Sequence, residues 1–234
     1  MCQFFSCISD GHGKMFYFDH KIRKKVLSGK LDYELDSHSS IADYYKVDED
    51  KHNKYEYNPL TKRFRIDQIN TLTDSQQIRL QCKQLDFALI VPELIIKPIF
   101  HPFKNKDRKR VTKKEIELLK KWDSVWGSVW NSVRGSVWDS VGDSVGDSVR
   151  DSVWGSVWGS VRGSVKGSVR GSVWGYTSSF FSLDKWKYMK HKKGENPFQP
   201  CINLWESGLV PSFDGKTWRL HGGKNANVLY KLEE

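Results

Sequence analysis

DSVW GSVW NSVR GSVW DSVG DSVG DSVR DSVW GSVW GSVR GSVK GSVR GSVW occupies residues 123–174, one four-residue unit written thirteen times without interruption. Ser and Val are invariant, the first position is Asp, Gly or Asn, and the fourth is Trp, Arg, Lys or Gly. How this stretch folds decides the architecture. As a continuous α-helix it would be about 78 Å long at ~1.5 Å per residue. Propensity opposes that. Seven of the thirteen units open with Gly, at about 1 kcal/mol each relative to Ala, and Ser and Val are weak helix formers. A period of four also drifts by about 40° per unit against 3.6 residues per turn, so the Val stripe winds around the rod. In a narrow solenoid, Asp, Gly and Asn would form corners that tolerate left-handed conformations. Val would then make an inner ladder and Ser a hydrogen-bonding ladder, with Trp, Arg and Lys in outward rows. The solenoid is expected ahead of the long helix, and the Val and Trp content disfavours disorder.

Around the array the chain reads as α+β, small mixed domains of hairpins and short helices. Of 234 residues, 52 are array, which leaves enough for one globular domain or two thin ones. The expected divisions are an N-terminal α+β domain over 1–103, a basic linker and capping helix over 104–122, the array, and a C-terminal α+β segment over 175–234. Turn chemistry predicts hairpins around Ser9-Asp10-Gly11, Asn58-Pro59 and Asp214-Gly215. Helices are predicted from Ser40, from Thr73 or Asp74, over 197–207 closed by Gly208, and from Thr112-x-x-Glu115 straight into the array. The segment 21–30 is basic and is expected on the surface. The apolar run 87–100 is cut by Pro92 and Pro98 and reads as one or two edge strands with a bend. As an insert, the array should be removable and leave a folded remainder.

Net charge is +10 and is concentrated beside the array. Residues 104–121 carry nine Lys/Arg against three acids, and 184–193 five Lys against one. Lys106, Arg108, Lys109, Arg110, Lys113, Lys114, Lys190, Lys192 and Lys193 are the candidate basic patch, suited to an anionic partner or to keeping a Trp-rich protein soluble. The fourth positions Trp126, Trp130, Arg134, Trp138, Arg150, Trp154, Trp158, Arg162, Lys166, Arg170 and Trp174 are the candidate binding face. Stacking and cation–π contacts suit it to single-stranded nucleic acid, a glycan or another protein. Alternatively the Trp side chains pack on one another, or on a second copy of the array.

Nowhere are ~18 consecutive residues apolar, so no transmembrane segment is expected. The start of the chain lacks the pattern of a secretory signal, which points to the cytoplasm. Cys2, Cys7, Cys82 and Cys201 form no C-x-x-C pair, so they are expected to be reduced thiols rather than zinc ligands or a disulfide framework. No phosphate loop, dinucleotide fingerprint or metal-spaced cluster is present. No cofactor is expected, and no metal.

Met1-Cys2 is where an enzyme could start. Removal of Met would leave Cys2 as an N-terminal nucleophile with its own α-amino group as base. The pair resembles the start of N-terminal-nucleophile glutamine amidotransferases, with Gln3 where those have Gly. Met1-Cys2-Gln3-Phe4-Phe5-Ser6, Asp36-Ser37-His38-x-x-Ile41 and Lys54-x-Glu56-x-x-Pro59 together resemble the N-terminal region of uncharacterised bacteriophage-encoded proteins, some of which carry central tandem arrays. That resemblance covers about the first 60 residues. It implies a phage setting, in the host cytoplasm or the virion, and it picks out Cys2, His38 and Glu56 as nucleophile, base and orienter. The leading expectation is a non-enzymatic binding or assembly protein that meets a protein partner or itself through the array. An N-terminal-cysteine hydrolase or amidotransferase and a non-specific nucleic-acid binder are the alternatives.

Overall fold

The computed structural model describes residues 4–104, 108–161 and 167–233. Within them the chain is mixed α+β, with eight α-helices and two antiparallel sheets. It divides into two compact units, Met1–Lys97 with Val137–Val149, and Pro98–Ser136 with Arg150–Glu234.

The first unit opens with β1 (Phe5–Ser9) and β2 (Met15–Phe16), paired as a hairpin with Ile8 opposite Phe16. Gly11 and Gly13 take the left-handed conformations that its turn needs, at φ 80° and 93°. Helix α1 (His20–Leu27) is capped by Asp19, whose carboxylate accepts from the Ile22 amide. It spans the basic segment expected on the surface, yet Arg23 is buried and ion-paired with Asp36 at 2.8 Å. Helix α2 (His38–Tyr45) starts three residues before the sequence suggests. Ser37 is its cap, and the Ser40 hydroxyl accepts from the Glu34 amide instead. β3 (Asn53–Asn58) and β4 (Arg63–Gln68) complete a sheet of order β2-β1-β3-β4.

Helix α3 (Ser75–Gln84) follows Asp74. The Asp74 carboxylate does not cap it but accepts from Ser9 Oγ, the Tyr55 hydroxyl and the Gly13 amide, tying helix, strand and turn together. The run expected to form edge strands does not do so. Its first residues form the short helix α4 (Phe87–Ile90), because Asp86 caps the Ala88 amide and turns the chain before either proline. Ile8, Phe18, Ile22 and Ile41 form the centre of this unit's core.

The array is not a solenoid. Most of its described residues are helical, in α5 (Lys113–Val141), α6 (Asp143–Trp158) and α7 (Arg170–Thr177), with Gly142, 159–161 and 167–169 outside the helices. Thr112 and Glu115 form the expected capping box, the Thr112 amide donating to Glu115 Oε2 at 2.8 Å and the Glu115 amide to Thr112 Oγ1 at 3.3 Å. Burial overrides propensity. Val129, Val133, Val137, Val141, Val145, Val149, Val153 and Val157 are each at most 1% exposed. Burying a Val side chain contributes about 1.5–3 kcal/mol, against about 1 kcal/mol lost per helical Gly. The winding of the stripe does no harm, because neighbours change along each helix. In the second unit Asp123 accepts from Trp218 Nε1 at 2.8 Å, and in the first the Val141 carbonyl accepts from Arg23 Nη2 at 3.1 Å. The array is core to both units rather than a removable insert.

α5 ends where two successive units carry Gly in the fourth position. Gly142 adopts φ 89°, and a Cβ at Gly146 would sit 2.9 Å from Val137 Cγ1. These glycines let the chain reverse and α6 lie close to α5.

In the second unit α8 (Gln199–Glu206) ends at Gly208 with φ 87°, the expected stop. β5 (Leu209–Phe213), β6 (Thr217–Gly222) and β7 (Asn227–Glu233) form an antiparallel meander, with Phe213 opposite Trp218 across the Asp214-Gly215 turn.

Candidate functional site

The second unit holds a cavity of about 940 Å³. Trp126 and Trp130 reach it from α5, Arg150, Trp154 and Trp158 from α6, and Arg170 and Trp174 from α7. Seven of the eleven candidate binding residues therefore converge, although they are spread over 49 positions of the chain. They do so because α6 returns along α5.

Aromatic packing sets the back wall. Phe213 stacks on Trp218 at 4.9 Å, and Trp126 meets the edges of both rings at 5.4 and 5.8 Å. Trp154 and Trp158 pack edge to face at 5.0 Å. The Arg150 guanidinium lies 5.4 Å from the Trp174 ring centre and donates to Asp151 Oδ1 at 2.7 Å. Trp130 and Trp158 are the most exposed tryptophans of the lining, at 48% and 47%. Gly127 and Gly167 line the cavity where an added Cβ would meet nothing within 4 Å. Asp214, at the rim, is held down to about 2 by the Thr217 amide and the Arg219 guanidinium.

The other array candidates lie elsewhere. Arg134 sits over Trp130 at 4.9 Å without lining the cavity. Trp138 belongs to the first unit, its Cδ1 3.1 Å from the Cβ position of Gly146. Arg162 and Lys166 fall outside the described residues, as does Lys106. Among the described residues, Arg134 and Trp138 are thus the two candidates that do not share the cavity. Arg108 is not a patch residue either. It pairs with Glu115 and donates to the Ser207 carbonyl, which removes it from solvent duty. Lys109, Arg110, Lys113, Lys114, Lys190, Lys192 and Lys193 are exposed, with Lys193 paired to Asp184 at 3.0 Å.

Of the candidate catalytic residues, Cys2 lies outside the described residues. His38 and Glu56 fall on one polar cluster of the first unit. His38 Nε2 is 3.1 Å from the Tyr55 carbonyl, which only accepts, so that nitrogen carries a proton. Nδ1 faces Asp67 Oδ2 at 3.7 Å. Arg65 lies 3.6 Å from Asp67 and 3.7 Å from Glu56. Glu56 is paired with Ser6 and Arg65 on the two neighbouring strands. Both Glu56 Oε2 and Ser6 Oγ are buried without a hydrogen-bond partner among the described residues. Ser6, Arg65 and Asp67 were not singled out from sequence, because cross-strand register is what brings them together. Burial pushes the thiols of Cys7 and Cys201 up, leaving neither poised as a nucleophile.

Among the described residues no group of three or more His, Cys, Asp or Glu is placed to hold a metal ion, and no helix is long and apolar enough to cross a membrane. In comparison with known proteins, no family model, curated sequence or solved structure matches the chain.

Proposed function

We propose that this is a binding protein without catalytic chemistry of its own, whose ligand seats in the Trp- and Arg-lined cavity of the second unit. The observation that carries the proposal is the convergence of seven fourth-position side chains from three helices on one opening of about 940 Å³. That size falls in the range of ligand sites, which are mostly apolar with a few placed polar groups. A phage setting, in the host cytoplasm or the virion, is supported by the resemblance in residues 1–59.

The test uses 8-anilinonaphthalene-1-sulfonate, an aromatic monoanion, as probe. One-to-one saturable binding with energy transfer from Trp is expected, and at least tenfold weaker binding in Trp130→Ala/Trp158→Ala. No binding to the wild-type protein, or equal binding to both, would remove the cavity as the site. Both side chains are about half exposed, so their loss leaves the core intact.

The buried Glu56 carboxylate, 3.7 Å from Arg65, which in turn lies 3.6 Å from the Asp67 that faces His38, favours a second reading, an N-terminal-cysteine hydrolase. It requires loss of Met1 by intact mass and labelling of Cys2 by a thiol probe, absent in Cys2→Ala. Retained Met1 and an unlabelled Cys2 would dispose of it.

A further inference from the structure

The division into two units also divides the charge. The first unit has 15 Lys/Arg against 17 Asp/Glu, a net of −2, and the second has 23 against 11, a net of +12. The whole cationic excess of the protein thus sits on the unit that contains the aromatic cavity. Neither property alone names a ligand. A neutral glycan would stack on Trp but gain nothing from a field of that size, and an acidic peptide would gain from the field without needing so many indole rings.

We infer that the ligand of this cavity is single-stranded nucleic acid, its bases stacked on Trp130 and Trp158, one phosphate held by Arg170, and the strand drawn in by the net positive charge of the unit. This rests on the cavity being the binding site. Aromatic platforms inside a cationic groove are how single strands are held without sequence preference, since every base offers a π-face. A duplex hides those faces and is excluded from the platforms. Trp130 and Trp158 are the two cavity tryptophans with large exposed surfaces. The carboxylates at the lining do not oppose a phosphate. Asp151 is held by Arg150 at 2.7 Å and Asp214 by Arg219 at 2.5 Å. Arg170 is exposed and faces no acidic partner among the described residues, so it is the surplus cation at the opening.

The experiment measures anisotropy of a fluorescein-labelled 20-mer of deoxythymidine on the full-length protein, beside the same strand annealed to its complement and beside inorganic polyphosphate. The single strand should bind and quench Trp emission, at least tenfold more tightly than the duplex. Log K should fall linearly with log salt, with a slope of about −0.7 per phosphate neutralised. Trp130→Ala and Trp158→Ala should each weaken binding roughly 5- to 150-fold, the loss of one base stack. Arg170→Gln should weaken strand binding and flatten its salt slope by about the contribution of one phosphate contact.

Absence of binding at low salt, or equal binding of strand, duplex and polyphosphate, overturns the inference. If the strand fails while the aromatic probe still binds in a Trp130- and Trp158-dependent manner, the cavity stands and only its ligand class falls. If the strand binds but neither Trp substitution matters, both the cavity and the stacking mode are wrong. Should a Trp variant lose its fold by circular dichroism, Arg170→Glu, a change at an exposed position, decides the question.

Discussion

Trp126 and Trp158 stand sixteen residues to either side of Gly142 and line the same cavity. The site therefore depends on a backbone conformation at a residue that never touches it. Two consecutive copies ending in Gly, DSVG DSVG, mark the place where the array doubles back, and only there does the fourth position lack a side chain.

Substitution of Gly142 should show this. Its φ of 89° strains any L-residue, and an added Cβ would lie 2.9 Å from Leu35 Cδ1. Gly142→Ala is expected to destabilise by about 1–3 kcal/mol, from the left-handed conformation plus the clash. Gly155→Ala, within α6 and facing open space, should instead stabilise by about 0.5–1 kcal/mol. Thermal denaturation followed by circular dichroism compares the two. Equal effects would mean that Gly142 is not the hinge.

Much of the local structure was legible because turns and caps are written in a few residues. The hairpin turns at Asn58-Pro59 and Asp214-Gly215, the Thr112–Glu115 capping box and the Gly208 stop each need only their own side chains and backbone. The array misled because its helix is stabilised from outside. Seven leading glycines argue against a helix, and nothing local reveals that the valines have neighbours to pack against. The run after Phe87 failed similarly: its apolar content suggested strands, while Asp86 committed the chain to a helical turn. Trp and Arg at the fourth positions stand out in the sequence as candidate binding residues. Which of them share a cavity depends on the reversal at Gly142, and the Ser6–Glu56–Arg65 alignment depends on the register of three strands.

The Val stripe as core makes a graded prediction. Val133 is fully buried, whereas Val125, the same residue in the first copy, is half-buried. Val133→Ala removes two carbon atoms at about 0.8 kcal/mol each and leaves a cavity, so a loss of about 2–3 kcal/mol is expected. Val125→Ala should cost less than half as much. Urea titration of both variants measures the difference, and equal losses would contradict the helical burial pattern.

Arg23 holds two partners in the first unit, the Asp36 carboxylate at 2.8 Å and the Val141 carbonyl at 3.1 Å, all buried. Removing the cation leaves Asp36 as an uncompensated buried charge and the end of α5 without its donor. Arg23→Met is expected to cost about 3–5 kcal/mol. The double change Arg23→Met/Asp36→Leu should recover part of that loss, because it removes the stranded charge. Urea denaturation of the single and double variants tests this, and a double variant no better than the single would place the loss in the Val141 contact alone.

His221 gives the second unit a pH dependence whose sign can be worked out. Burial and the nearby Arg219 charge lower its pKa from the ordinary 6.5. Its ring is fixed between two partners, Nδ1 at 3.0 Å from the Ala226 carbonyl and Nε2 at 2.7 Å from Ser212 Oγ. The carbonyl only accepts, so Nδ1 carries the proton and Nε2 accepts from Ser212, which requires the neutral ring. Above about pH 6.5 the ring is neutral folded or unfolded, and the contribution is complete. As pH falls below that value the unfolded chain takes up a proton that the fold refuses, and stability is lost progressively down through the folded pKa. The carboxylate of Asp214, held near 2, titrates far lower, and His101, whose pKa burial also lowers, is common to the wild-type protein and the His221 variant. The wild-type protein should therefore lose thermal stability between pH 7 and 5 more steeply than His221→Gln. Parallel curves would show that His221 is not the group responsible.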